Sequence, residues 1–559
     1  MKPDPTGTRT QFMITIAGPL VTLLVSPFSN YDPINLVKLV ALTSIAFYLF
    51  FLSFSNLSFW VRIWNTDHLL IVTSGFFVVW MVIVMFVTDS TFSQQMWGQF
   101  GRNSGFLTYL SLMILLVITA SQRQSKFFDR LASALLVTNL PVVLYALIQI
   151  SGNDPIAWSL TGPFSTLGNV NFSSAFLGMA SVAAVALALG KTVSLKIRLG
   201  LASLVGVNLW VIWESQSSQG LLIFAAGVIV VGFFFVRQLS NILVTLSYSL
   251  GAALALITAL LGFGNLGPAS GLIYGETLLY RFDYWFAGWA MTRANPIFGV
   301  GLDSYGDWYR ELRGEIATLR TVPDRITNTA HNIYLDISSS GGFPLLLAYL
   351  IVLGLAMRSG IKVLMKVHEY QPVVVAIFAA WLAYLIQAAI SINQIGVGIW
   401  GWIFTGALIG IERCTRKTTA PDVSEAKRNG GGEQISAVGL LSGALGLTLG
   451  FVLSFIPFNA DARFKSALAS GDLQAVTVNS QRLGTTAFHM ELALDTAIKA
   501  GDPVVAESLT DELLKKYPRD FMAWRVKQTL LSTSSEEREI AYQRLRQLDP
   551  FNPDIRRIE

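Results

Sequence analysis

The sequence predicts an all-α protein whose twelve to thirteen helices cross a membrane as a bundle. Two observations lead to this prediction. Of the 559 residues, 53% are hydrophobic and only 13% are charged, which is too apolar for an ordinary soluble protein. The apolar residues also form runs of roughly twenty, the length that a helix needs to cross about 30 Å of hydrocarbon. Thirteen such runs lie near residues 11–27, 35–53, 68–88, 104–121, 130–151, 171–190, 197–213, 219–236, 242–263, 343–358, 371–391, 396–412 and 436–457.

The distribution of Lys and Arg predicts the orientation of these spans. With the N-terminus inside the cell, the cytoplasmic segments hold about eighteen of these residues, and the short outer loops hold almost none. The first run lacks a signal-peptide cleavage site and is interpreted as a retained span. We therefore expect a multi-pass protein of the cytoplasmic (inner) membrane, with residues 264–342 and everything after 458 outside. The cytoplasmic loops also account for the net charge of +5, so nucleic-acid binding is not expected.

The composition changes along the chain and divides it into five parts. A Gly-rich run in the last span, "AVGLLSGALGLTLGF", is typical of helices that pack closely in a membrane. The polar, Gly-rich segment before it reads as a cytoplasmic linker. The predicted parts are N-terminal spans (1–60), a membrane core (61–413) with its outer loop (264–342), the linker (414–435), a last span (436–457) and an outer domain (459–559).

The outer domain has a different pattern from the rest of the chain. Its segments read as amphipathic helices that are separated by Gly-Asp and Pro turns. Pro518 and Pro550 are 32 residues apart, which is close to the 34-residue tetratricopeptide period. We therefore expect a tetratricopeptide-like helical domain, and an irregular helical bundle is the alternative.

The outer loop contains one predicted helix, "ETLLYRFDYWFAGWAMTRANP". Arg281, Trp285 and Trp289 recur at helical spacing, and Pro296 ends the pattern. Tryptophans at this spacing suit a helix that lies at the membrane–water interface. The loop then ends in "RITNTAHNIYLDISSSGGFP", which contains His331, the only histidine of the outer loop.

These residue types suggest chemistry on a lipid-linked sugar diphosphate. Arg281 is suited to hold a diphosphate, because a guanidinium binds phosphate oxygens in bidentate fashion. His331 is suited to take a proton from a hydroxyl, since an unperturbed imidazole titrates near neutral pH. Other roles stay open for both residues: Arg281 snorkels to the interface or pairs with Asp283, and His331 hydrogen-bonds loop carbonyls.

The motifs of the loop resemble the O-antigen ligase and polymerase-like superfamily. The shared pattern is an Arg-led aromatic helix, a Pro-hydrophobic-Gly-Val-Gly turn, and a His-Asn pair with a glycine eleven residues after the histidine. Two upstream segments, "WGQFGRNSGFLTYL" and "GPFSTLGNVNFSSAFLG", are similar to further motifs of the family. The resemblance covers roughly residues 60–412 and includes Arg102, Gly105, Asn169, Asn171, a shifted Ala175, Arg281, Trp285, Pro296, Gly299, Val300, Gly301, His331, Asn332 and Gly342.

The resemblance implies a metal-independent, inverting glycosyltransferase without a cofactor. Its donor would be a glycan on undecaprenyl diphosphate, and its acceptor a hydroxyl group of a glycan, a lipid or a protein. Arg281 would hold the diphosphate, and His331 would activate the acceptor hydroxyl or steady the leaving group. Where many ligases have Ser-Arg-Gly, this chain has Ser218-Gln219-Gly220, so Arg102 would have to supply the second positive charge. The substrate-binding residues implied in this way are Arg102, Asn169, Asn171, Gln219, Trp285, Asn332 and Gly342.

Other functions are compatible with the same sequence. A carboxylate of an outer loop, Asp32 or Asp89, is an alternative catalytic base, although Asp32 also fits a turn with Pro33. A glycan polymerase and a protein oligosaccharyltransferase belong to the same superfamily. Outside it, a transporter of lipid-linked glycans and a scaffold remain alternatives, but no carboxylate lies at the centre of an apolar run, as transporters commonly require. Nothing in the sequence resembles a P-loop, a zinc site or a dinucleotide fingerprint.

Overall fold

The computed structural model describes residues 5–54, 57–239, 241–320, 322–416 and 437–556. Over these residues the chain is helical, and no strand occurs in them. Most of the predicted linker, from residue 417 onward, lies outside the described residues. The helices are α1 (Pro5–Leu23), α2 (Asn35–Phe54), α3 (Leu57–Val87), α4 (Phe92–Trp97), α5 (Phe106–Ala120), α6 (Ser125–Ile150), α7 (Val170–Ala188), α8 (Leu195–Glu214), α9 (Ser218–Arg237), α10 (Ile242–Phe263), α11 (Ser270–Ile273), α12 (Glu276–Ala294), α13 (Tyr305–Leu312), α14 (Glu315–Arg320), α15 (Ile333–Lys366), α16 (Pro372–Ile390), α17 (Ile395–Cys414), α18 (Ala437–Ser470), α19 (Leu473–Ser480), α20 (Ala487–Ala500), α21 (Pro503–Lys516), α22 (Phe521–Thr529), α23 (Ser535–Leu548) and α24 (Pro553–Arg556).

The predicted multi-pass helical fold is confirmed, with fewer full-length spans than expected. Within the described residues, 11 helices are long and apolar enough to cross a membrane, against the twelve to thirteen predicted. Two predicted runs account for the difference. Helix α5 has 15 residues, or about 22 Å of helix, which is short of the roughly 30 Å of hydrocarbon. Helix α1 begins with the polar sequence "PTGTRTQ", so its apolar part is too short to cross the hydrocarbon.

The spans differ in how deeply they are buried in the bundle. Helix α17 forms the centre of the bundle, and its apolar segment is fully buried. Trp400, in the second turn of this helix, donates from Nε1 to the Oγ1 atom of Thr22 at 2.9 Å, which ties α17 to α1. Helix α10 is the opposite case, since none of its apolar segment is buried by other parts of the protein. An apolar helix without a covering protein surface is what a lipid-facing span requires.

The last span continues beyond the predicted boundary. Helix α18 runs for 34 residues from Ala437 to Ser470, so the boundary predicted near residue 458 falls inside one helix. The helix packs along α2, and a Cβ atom at Gly446 would lie 2.4 Å from the carbonyl oxygen of Phe47. Only glycine permits this approach of two backbones, as the Gly-rich pattern indicates. The outer domain is thus joined rigidly to the bundle.

The outer loop and the outer domain meet at one end of the bundle. Arg313 of the loop, just after α13, donates from Nη2 to both carboxylate oxygens of Asp549, at 2.7 and 2.9 Å. Both side chains are fully buried. The α1–α2 connection lies at the same end, where the N–H group of Tyr31 donates to Oδ2 of Asp461 at 2.7 Å. The structure therefore places the two large polar segments together.

The outer domain is helical from α19 to α24. Consecutive helices α20 and α21 pack on each other, and so do α22 and α23. Phe464 of α18 and Leu509 of α21 belong to one buried apolar cluster of this domain. Its tetratricopeptide-like arrangement stays a prediction.

The Pro-hydrophobic-Gly-Val-Gly turn of the loop is paired with the start of α15. The N–H of Val300 donates to the carbonyl oxygen of Ser339 at 2.7 Å, and the N–H of Phe343 donates to that of Pro296 at 2.8 Å. Gly342 has a φ of 73°, in the region that favours glycine, and a Cβ atom there would lie 2.0 Å from the carbonyl oxygen of Ile297. This pairing anchors the outer loop and kinks α15 at Gly342.

We expect Gly342→Ala to destabilise the protein by more than about 2 kcal/mol, since backbone strain and a backbone clash coincide. Gly354→Ala is the matched control, because it lies in the same helix with open space around its Cβ position. There, alanine is expected to be neutral or slightly stabilising. Thermal unfolding of both variants in detergent checks this, and equal melting temperatures would contradict the anchoring role of Gly342.

Candidate functional site

His331 lies in the short connection just before α15, in a strained backbone conformation. Its φ is 51°, a left-handed value that is uncommon for a residue with a side chain and that clusters at functional sites. The backbone N–H of His331 donates to Oγ1 of Thr329 at 3.2 Å. The imidazole ring lies 5.3 Å from the ring of Tyr284, centroid to centroid. The side chain is therefore held against α12, the helix that carries Arg281.

The environment of His331 keeps its imidazole neutral. Burial, together with the nearby guanidinium groups of Arg102 and Arg281, lowers its pKa to about 3. The sequence predicted a group that titrates near neutral pH. The structure differs because the ring is buried and because two cations lie near it. At pH 7 the unliganded imidazole is thus free to accept a proton.

Arg281 lies on α12, is partly buried, and has no carboxylate partner among the residues that the structure describes. Among the described residues, no hydrogen bond or ion pair involving its guanidinium is found. The pairing with Asp283 that the sequence left open does not occur, since Asp283 binds Arg320 at 3.0 Å instead. Burial lowers the pKa of Arg281, yet a guanidinium stays charged in proteins. A half-buried cation with no counter-ion is a ready site for an anion.

Arg102 lies in the connection between α4 and α5, and its guanidinium is near the imidazole of His331. Its Nε donates to Oδ1 of Asn328 at 3.0 Å, and Asp303 and Asp336 are close enough to stabilise its charge. A cavity of about 30 Å³ lies among Arg102, Asp303, Asn328 and Asp336, which is room for about one water molecule. Oδ1 of Asp336 also accepts the N–H of Ala330 at 2.7 Å. This carboxylate thereby fixes the backbone next to His331.

Two of the predicted substrate-binding asparagines cap helices. Oδ1 of Asn332 accepts the N–H groups of Tyr334 and Leu335 at 3.0 and 3.1 Å, so Asn332 begins α15. Oδ1 of Asn169 accepts the N–H of Asn171 at 2.8 Å and begins α7 in the same way. Each amide oxygen satisfies donors that a helix start leaves unpaired.

Asn171 and Gln219 form a separate polar group where α7 and α9 begin. Oδ1 of Asn171 accepts from Oγ of Ser217 at 2.8 Å, and Oγ of Ser174 donates to the same hydroxyl at 2.8 Å. Gln219 is buried, and neither of its amide atoms has a hydrogen-bond partner among the described residues. A buried amide that is left unpaired is costly and calls for a partner. This is the position at which many ligases have arginine.

Trp285 packs away from His331. Its ring stacks on Phe263 at the end of α10, with centroids 5.7 Å apart, and meets Phe282 edge-on at 5.5 Å. Its Nε1 is buried with no partner among the described residues. The tryptophan thereby holds α12 against a lipid-facing span, which fits an interface anchor.

The alternative carboxylates lie in different surroundings. Oδ1 of Asp32 accepts the N–H groups of Ile34 and Asn35, both at 3.0 Å, so Asp32 caps the start of α2. Burial raises its pKa. Asp89 is exposed and lines the wall of a larger cavity of about 810 Å³ that includes neither His331 nor Arg281.

Three residues next to the site were missed by sequence reasoning. Tyr284 packs on His331, and Asp336 holds the adjacent backbone. Arg325 lies 5.0 Å from the centroid of the Tyr280 ring, one turn before Tyr284 on α12. All three residues lie within the quoted motifs. Tyr284 is three residues after Arg281, and Arg325 begins the segment that contains His331 and Asp336.

The comparison with protein families gives one match. The family model described as O-antigen ligase matches residues 201–350, which include Gln219, Arg281, His331 and Gly342 but neither Arg102 nor Asn169. No curated protein matches the chain. The matched residues thus include both Arg281, on α12, and His331, in the connection just before α15. The predicted resemblance of this membrane protein to the O-antigen ligase superfamily is confirmed.

Proposed function

We propose that the protein transfers a glycan from undecaprenyl diphosphate to a hydroxyl acceptor at the outer face of the cytoplasmic membrane. The observation that supports this most is Arg281, a half-buried guanidinium without a counter-ion beside the neutral imidazole of His331. A diphosphate supplies the missing negative charge, and a hydroxyl supplies the proton that the imidazole can take.

Arg281 binds the diphosphate of the donor in this proposal. The positive charge of Arg102 acts on the imidazole of His331 as that of Arg281 does. Two guanidiniums around one diphosphate stabilise the charge that develops as the sugar–phosphate bond breaks. Arg102 thereby takes the role that Gln219, which carries no charge, cannot fill. The exposed Arg325 is a third cation on the same side of α12.

His331 acts as the base toward the acceptor. Its nitrogen takes the proton of the acceptor hydroxyl while the oxygen attacks the anomeric carbon, and undecaprenyl diphosphate leaves with the electron pair of the broken bond. The low pKa of the unliganded imidazole rises when the diphosphate offsets the two arginines, because an opposite charge nearby favours the protonated form. Donor binding therefore makes His331 a stronger base.

In this proposal, the remaining predicted residues position the backbone, the glycan and helix α12. Asn332 and Gly342 fix the backbone on both sides of the first turns of α15, and Asn169 fixes the start of α7. Gln219 and Asn171 offer amide groups to the glycan, since Gln219 has unpaired donors and acceptors. Trp285 holds α12 at the interface, where the lipid donor has to enter. Lipid, glycan and protein hydroxyls all fit this scheme as acceptors.

The proposal is tested with purified protein and a native undecaprenyl-diphosphate glycan in EDTA. The expected result is release of undecaprenyl diphosphate that depends on an acceptor and does not need a divalent metal. Movement of the intact lipid-linked glycan across proteoliposomes, without any release, would overturn the proposal in favour of a transporter.

A further inference from the structure

A second cavity lies between the outer loop and the outer domain, outside the group around His331. Its volume is about 810 Å³, and its walls come from the segment after α3, from the outer loop, and from the helices α20 to α23 with their connections. Cavities of roughly 300–1,000 Å³ enclose ligands the size of a drug molecule. The chemistry of its walls indicates what kind of ligand it takes.

Four carboxyl groups line this cavity: Asp89 follows α3, and the other three come from two further parts of the chain. Asp307 belongs to the loop, and Glu491 and Asp520 belong to the outer domain. The carboxyl groups of Glu491 and Asp520 are close enough to share a proton, and burial raises the pKa of both. Burial also raises the pKa of Asp307 to about 7. Carboxyl groups that share protons act as donors and acceptors at once, which suits hydroxyl groups better than ions.

Aromatic rings lie among these polar groups. Phe100 and Phe488 stack with centroids 4.0 Å apart, and Trp308 lies 3.5 Å below the guanidinium of Arg519. A sugar ring has an apolar face of C–H groups and a rim of hydroxyls. A wall that alternates aromatic rings with hydrogen-bonding side chains matches both features.

The cavity ends next to the group that contains His331. Asn328 lines this cavity and also the smaller cavity beside Arg102, and its Oδ1 accepts the hydrogen bond from Arg102. The cavity lies among polar loops and the outer domain, whereas a lipid-linked donor has to approach from the apolar bundle. The larger cavity, on one side of Asn328, and the space beside Arg102, on its other side, therefore suit different substrates.

We infer that this cavity binds a saccharide chain of the acceptor and directs its hydroxyl toward His331. The inference rests on the proposed function and narrows the acceptor to a glycan-bearing molecule. A polypeptide fits the cavity less well, because the described residues contain no strand edge that an extended peptide could pair with. The mixed charges of the walls also suit an uncharged ligand.

Binding is measured directly by saturation-transfer NMR with the full-length protein in detergent. The probes are lipid-free glycans that mild acid releases from the lipid-linked and envelope polysaccharides of the producing cell. We expect saturable binding to wild type and binding about tenfold weaker to Glu491→Leu, which removes the shared proton and its hydrogen bonds. Glu491→Gln keeps those hydrogen bonds and should restore most of the affinity. Gln547→Leu, on the exposed rim of the cavity, should weaken binding several-fold if the Glu491→Leu protein does not fold.

Two controls separate this inference from the proposed function. Asp495→Asn makes the same carboxylate-to-amide change as Glu491→Gln elsewhere on α20, at a carboxylate paired with Lys499, and should bind the glycans as wild type does. His331→Ala should bind them normally as well, even if transfer is lost. In transfer assays, the Glu491→Leu change should raise the KM for acceptor and leave the KM for donor unchanged. The inference is overturned if wild type gives no saturable glycan signal, or if the cavity variants that fold bind as tightly as Asp495→Asn.

Discussion

Arg281→Ala is expected to lower the rate of donor cleavage by about 10²–10³, the usual loss when one stabilising group of a developing anion is removed. The reason is the isolation of this guanidinium. Asp283, its nearest carboxylate in sequence, is bound to Arg320 at 3.0 Å, so the positive charge of Arg281 is left for a ligand. The measurement is the release of undecaprenyl diphosphate from a purified lipid-linked glycan at saturating donor.

Two further variants make this result specific. Arg293→Ala removes an exposed arginine from the last turn of the same helix and should leave the rate within about twofold of wild type, as surface changes usually do. Arg281→Lys keeps the charge but loses the planar fork that binds two phosphate oxygens, so its activity should stay low. Equal rates for the Arg281→Ala and Arg293→Ala proteins would remove Arg281 from the site.

Asp549→Ala is expected to release the outer domain from the outer loop, with a loss of about 3–5 kcal/mol. Asp549 is fully buried and binds Arg313 at 2.7 Å and Arg310 at 3.1 Å. Its removal leaves the buried Arg313 without a carboxylate partner among the described residues, and it leaves Arg310 with only the more exposed Asp324, at 3.6 Å. The readout is protection of the outer domain from trypsin, together with thermal unfolding in detergent.

The matched control is Asp554→Ala, an exposed carboxylate five residues later. It should keep the protection of wild type. The triple change Arg310→Met, Arg313→Met and Asp549→Leu should restore much of the docking, because replacing a whole buried ion pair by apolar groups is often neutral. If the Asp549→Ala protein resists trypsin as well as the control does, then the outer domain is held by other contacts.

The membrane part of the fold was predictable because the bilayer imposes a simple rule. Runs of about twenty apolar residues specify spans wherever they occur, and this rule located α2 and α15 without further information. It failed at α5, whose apolar run looks long enough but whose helix begins only at Phe106. The rule also missed the continuation of α18 to Ser470, since hydropathy marks where the lipid ends and not where a helix ends.

The site was partly predictable for a different reason. Arg281 and His331 stand out because a charged or titratable side chain next to an apolar span needs an explanation. Their partners did not stand out: Tyr284 and Asp336 look like ordinary loop and helix residues until folding places them against His331. The low pKa of His331 was unpredictable as well, because it depends on burial and on Arg102, which is more than two hundred residues away in the chain.

Docking of the outer domain could not be read from its composition. Lys and Arg nearly balance Asp and Glu after residue 459, which suggested no charged partner. The decisive contacts are few and local, since Arg313 meets Asp549 and Arg519 meets both Trp308 and Glu311. An overall charge balance gives no information about single buried ion pairs. These pairs connect the outer domain to the loop that carries His331.

The central claim is that His331, and not a carboxylate of the first outer loop, activates the acceptor. The most direct test compares wild type with the His331→Ala and Asp32→Asn proteins in donor-dependent glycan transfer, with folding checked by thermal unfolding. The account predicts a loss of about 10²–10⁴ for His331→Ala. Asp32→Asn should stay active, because the amide oxygen can still cap α2. Transfer at the wild-type rate by the His331→Ala protein, with loss in the Asp32→Asn protein, would contradict the account.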